Sequence, residues 1–73
     1  MIRILLRELV AKKEIAEKRK IKLDELAEAT GISKTTLSKM QSVHDYNAKT
    51  ENLNRLCVYF DCRIQDLLEY IPD

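Results

Sequence analysis

Lys34, Thr35, Ser38 and Lys39 have the residue types and the spacing to act together on one ligand. In the stretch KTTLSKM, helical periodicity puts Leu37 and Met40 on one side and these four on the other. The outward set is polar or basic and contains no carboxylate. Such a face donates hydrogen bonds to base edges and phosphates without repelling a polyanion. It is also the composition of an ordinary solvated helix face, because Lys, Ser and Thr are common on any surface.

The elements that must position this face are legible around Gly31, the single glycine of the chain. Leu23, Leu26, Ala27 and Thr30 recur at helical spacing before it, so two short amphipathic helices meet there. Glycine takes a left-handed backbone without a Cβ clash, which ends one helix and turns the chain. Ser33 is then placed as the N-cap of the second helix. Ile32 before the cap and Leu37 after it have the spacing of a hydrophobic staple. Ala27 is small where the helices would cross. The product is a helix-turn-helix over about residues 23–41, its second helix covering about 33–41.

With these residues in view, TGISKTTLSKM resembles the motif of the Cro/C1-type (Xre) helix-turn-helix family of bacterial and phage DNA-binding regulators, and DELAEATGIS resembles its first helix and turn. The run LNRLCVYFDCRIQDLLEYIPD is similar to the ending of small members of that family. The resemblance implies an all-α, five-helix, lambda-repressor-like DNA-binding domain across residues 1–73. It implies double-stranded DNA as partner, with the second helix in the major groove, and a role in regulating transcription. Ser33, Lys34, Thr35, Ser38 and Lys39 are then the candidates for reading bases. Arg7, Lys20, Lys22, Thr36, Ser42, Asn47 and Lys49 are the candidates for the sugar-phosphate backbone. It also implies that Cys57 and Cys62 sit in the core as small reduced hydrophobes.

Two departures from the family pattern weaken the expected grip on DNA. Members usually carry Ser or Thr and then Gln where this chain has Lys22 and Leu23, and leucine cannot bind a phosphate. The usual Asn-Gly after the second helix is replaced by Ser42 and Val43. Asp24 and Glu25 suit a helix N-terminus but discourage a phosphate there. A protein-interaction module that keeps the fold and binds a toxin or another regulator is therefore the alternative reading.

Bulk properties set outer bounds. A chain of 73 residues allows one small domain that buries about 60% of its unfolded surface. Two cysteines are too few for a disulfide framework, and no apolar run suits a bilayer or a cleaved leader, so a cytoplasmic protein is expected, without membrane attachment. Net charge is only +1, but it is polarised. Residues 1–22 hold eight basic side chains against three acidic ones, whereas residues 50–73 hold two against five. A basic region near the recognition face would attract phosphates, with the acidic end turned away.

In chain order, a first helix is expected from about Ile4 to Lys20, with Ile2, Leu5, Leu6, Leu9 and Val10 as its stripe, continued by Ala16 or Ile15. Met1 to Arg3 is alternatively a short extended segment pairing near Ala48. Ile21 reads as a core anchor inside the basic patch KRKIK, where the first helix is either extended or followed by a longer loop. Gln41 to Lys49 reads as a loop, in which His44 is a loop residue and Tyr46 either reaches the backbone or lids the core. Thr50 is a plausible cap for a fourth helix with Leu53, Leu56, Cys57 and Phe60 inward, ended at Asp61. A fifth helix is expected over Arg63 to Tyr70, with Ile64, Leu67, Leu68 and Ile71 inward.

Nothing argues for an enzyme: there is no nucleophile-base arrangement, metal set or phosphate-binding glycine loop, and no cofactor or small-molecule ligand is implied. A single module has few base contacts, so a homodimer, at least on DNA, is expected, with Leu68, Tyr70 and Ile71 as interface candidates.

Overall fold

The computed structural model describes residues 1–43 and 45–73; the reading of His44 as a loop residue lies outside the described residues. The elements in order are β1 (Ile2–Ile4), α1 (Leu6–Glu17), α2 (Leu23–Thr30), α3 (Lys34–Ser42), α4 (Thr50–Phe60), α5 (Ile64–Leu67) and β2 (Leu68–Tyr70). Each helix contributes at least one side chain to a common core. Leu6, Leu26, Leu37, Met40, Leu56 and Leu67 are all fully buried, so the five helices are held by one cluster, which Ile4 and Ile32 complete.

The all-α expectation is corrected by β1 and β2, which pair antiparallel with Ile2 opposite Tyr70, Arg3 opposite Glu69 and Ile4 opposite Leu68. The pairing extends beyond the strands, since Met1 and Ile71 exchange two bonds at 2.8 Å and Leu5 N donates to Leu67 O at 2.7 Å. The sequence IRILL satisfies both a period of two and a helical stripe, so the alternation of Ile2 and Ile4 was hidden. Neither strand has a partner near it in sequence. Arg3 faces Glu69 across the ribbon at 3.6 Å and also binds Glu8. The extended N-terminal segment thus pairs with residues 68–70 and not near Ala48. Ile2, Ile4 and Ala48 line a small groove together with Tyr46, Leu53 and Leu68.

The same pairing cuts the fifth helix to Ile64–Leu67, because Leu68 is already extended and opposite Ile4. Leu67 is buried as expected, but Ile64 is exposed. At the other end α1 begins at Leu6 and stops at Glu17, where Lys18 turns left-handed at φ 55°. A longer loop follows, and α1 does not reach Lys20. Glu14 pins that loop by accepting from Ile21 N at 2.8 Å, and Ile21 is buried. Ile15 and Ala16 both point to solvent, so the apolar stripe of α1 ends at Val10.

Thr50 is the first residue inside α4 and not its cap. Lys49 holds the cap position without a side-chain bond, while its carbonyl accepts from Leu53 N. Asp61 ends α4 left-handed at φ 51°, as expected. Cys57 is half-buried against the core, and Cys62 is half-buried just past the turn. Burial pushes the Cys62 thiol up, and the neighbouring Cys57 adds to it.

Candidate nucleic-acid interface

Gly31 takes φ 75° and ψ 12°, and its N–H donates to Ala27 O at 2.9 Å, closing α2 in a left-handed cap. Thr30 helps to close the turn. Its hydroxyl donates to Leu26 O at 2.7 Å and accepts from Ile32 N at 3.2 Å, which satisfies the one buried polar side chain of the junction. Ser33 then caps α3, accepting from Thr36 N at 3.2 Å while its own hydroxyl donates to Thr36 Oγ1 at 2.9 Å. Ile32 and Leu37, the staple pair, are both buried.

This turn fixes what α3 shows to solvent. Leu37 and Met40 are fully buried, whereas Ser33, Lys34, Thr35, Ser38 and Lys39 are exposed and Thr36 is half-buried. The hydroxyls of Ser33 and Thr36 are engaged in the cap, and that of Ser42 donates to Ser38 O at 2.8 Å. Thr35, Ser38 and Lys39 are therefore the outward groups with no bond of their own among the described residues. Asn47 and Lys49 are exposed in the segment after α3, and Tyr46 is half-buried against the core, which makes it a lid.

The carboxylate-free character of the face holds within α3 but not across the turn. Asp24 from the first turn of α2 reaches Lys34 Nζ at 2.7 Å. Its neighbour Glu25 is gripped by both terminal nitrogens of Arg19, at 2.8 and 2.7 Å. Those bonds hold the Glu25 carboxyl below the usual carboxylate range. The two acids expected to discourage a phosphate at the start of α2 are both matched by a cation. Lys20 and Lys22 beside them are exposed and, among the described residues, make no ion pair; the same is true of Arg7, Lys39 and Lys49.

Two surface clefts of about 270 and 250 Å³ flank Arg7, and both are also lined by Gln41 at the end of α3. Sequence reasoning gave Gln41 no role, placing it both at the end of the second helix and at the start of the loop, and missed the Asp24–Lys34 contact. Helical continuation past Met40 was the available signal for the former. The latter spans a turn whose geometry leaves no periodic mark.

Two helices joined at a left-handed glycine, with a capped, half-buried second helix offering a polar and basic face, define a helix-turn-helix protein. The chain belongs to the Cro/C1-type HTH DNA-binding domain family, whose family model matches residues 13–73. It is also 32% identical over 57 residues to the SPbeta prophage-derived uncharacterized HTH-type transcriptional regulator YopS of Bacillus subtilis (strain 168), covering 78% of this chain and 77% of that protein.

Proposed function

We propose that this chain is a sequence-specific, double-stranded DNA-binding regulator of transcription that lays α3 in the major groove. The observation that carries the reading is the division of α3, with Leu37 and Met40 sealed in the core and Lys34, Thr35, Ser38 and Lys39 left on the surface. Ser33 contributes the cap and stands where the first base would be met. Arg7, Lys20, Lys22 and Lys49, free of ion pairs among the described residues, supply the attraction to phosphates, with Thr36, Ser42 and Asn47 as polar contacts beside them.

Residues 1–73 act in this reading as one lambda-repressor-like domain of five helices, closed by the terminal ribbon, in the cytoplasm where its DNA lies. No helix is long and apolar enough to cross a membrane among the described residues. Two copies bind half-sites about 34 Å apart, each adding a recognition helix. Tyr70 is exposed and Leu68 and Ile71 half-buried, which makes the ribbon side available to a second copy. Selection of random duplexes by the purified protein tests the reading. It is expected to return a two-fold related sequence, and recovery of unrelated sequences only would overturn it.

A further inference from the structure

Lys34 is the first residue of α3, where the positive end of the helix disfavours a cation, and the first turn of α3 holds no acidic residue. Its ammonium is held from the neighbouring helix by Asp24 Oδ1 at 2.7 Å, with the side chains 60% and 77% exposed. It is the one ion pair made by α3 among the described residues. A lysine ammonium has three donors, so a carboxylate on one side leaves two for an acceptor on the other. We infer that Asp24 is a positioning residue for sequence recognition, aiming the Lys34 ammonium at a base acceptor in the groove and keeping it from roaming to the nearest phosphate.

The inference rests on the reading of α3 as the recognition helix. Its physical content is a trade. A negative charge beside a polyanion lowers affinity for every duplex, and a tethered lysine loses fewer rotamers when it meets the correct base. Asp24 therefore weakens binding in general and sharpens the choice among sequences. Its neighbour Glu25 has no such effect, because the Arg19 guanidinium occupies both of its carboxylate oxygens.

The test is a double-mutant cycle of Asp24→Asn and Lys34→Ala, with Glu28→Gln as a charge control on an exposed residue of α2. Affinity is measured at one salt concentration for the selected duplex and for a scrambled one. Asp24→Asn is expected to bind both duplexes more tightly while the ratio between them falls about two- to fivefold, the range of an exposed ion pair. In the Lys34→Ala background the same change leaves the ratio unaltered, and Glu28→Gln leaves it unaltered in the wild-type background. Asp24→Glu, which keeps the charge, restores most of the ratio. A ratio that survives Asp24→Asn, or that falls equally without Lys34, overturns the assignment. A wild-type protein with no preference for any duplex overturns the DNA reading as well, so the two failures are told apart.

Discussion

The guanidinium of Arg55 donates to the carbonyl oxygen of Gly31 at 3.2 Å while it holds Glu51 at 2.7 Å. A side chain of α4 thereby grips the turn that sets α3 at its angle to α2. The recognition face is positioned from three helices and not by its own motif alone.

Gly31→Ala tests the turn. A Cβ there would meet Arg55 Nη1 at 3.7 Å, an ordinary contact, so the penalty is backbone strain at φ 75° and not a clash. The expected loss is about 1–2 kcal/mol, read as a lower urea midpoint with an unchanged slope. A change within a few tenths of a kcal/mol would show that the turn relaxes freely.

Leu37→Ala tests the anchoring of α3. Leu37 is fully buried within the cluster, and its truncation is expected to remove about 2–5 kcal/mol. For a chain of this size that is a large share of the total, so helical circular dichroism should be reduced at 37 °C. A protein as stable as the wild type would mean that α3 is not seated on the core.

Ser33→Ala and Ser33→Asp separate the cap from the surface. Loss of the bond to Thr36 N should cost about 0.5–2 kcal/mol in the alanine variant, while aspartate restores the cap. The aspartate variant is expected to fold as well as wild type and to bind duplex DNA worse, because its carboxylate faces the phosphates. Equal DNA affinity in both would place the start of α3 away from the duplex.

Lys39→Ala and Lys34→Ala should reduce the preference for the selected sequence by roughly 1–3 kcal/mol, if these side chains meet base edges. Neutralising Lys20 or Lys22 should instead weaken all duplexes alike and lower the slope of log affinity against log salt by about 1 each. Titration at several salt concentrations distinguishes the two patterns. The same response at all four positions would mean that no face is read specifically.

Acid stability follows from the paired glutamates. The bond from Arg19 holds Glu25 below its usual range, and the bond from Lys13 does the same for Glu17. A carboxyl whose folded-state pKa is depressed adds stability that is present in full above its unfolded value. That stability is lost as pH falls through the folded value. These pairs are therefore neutral contributors to any change between pH 8 and 6, and they lose their contribution below the ordinary carboxylate range. Urea midpoints against pH should show that decline, and Glu25→Gln should flatten it. An unaltered acid limb would remove Glu25 from the account.

Much of the motif was legible because it is built from contacts close in sequence. A glycine that alone tolerates φ 75°, a serine two residues on whose hydroxyl meets the third N–H of the next helix, and leucines at helical intervals are local physics. They settled where α2 ends, where α3 begins and which side of α3 is buried. The ribbon of residues 2–4 with 68–70 was legible only as an alternative, an extended Met1 to Arg3 with the wrong partner near Ala48, because a strand three residues long carries too little alternation to stand out. Its partner lies at the far end of the chain. The lysines divided in the same way. Composition counted them, but only the packing of α2 against α3 gave Lys34 to Asp24, only the loop after α1 gave Arg19 to Glu25, and Lys20 and Lys22 were left without an ion pair among the described residues. A charge pair depends on distance through space, and that distance exists only once the hydrophobic core has drawn the helices together.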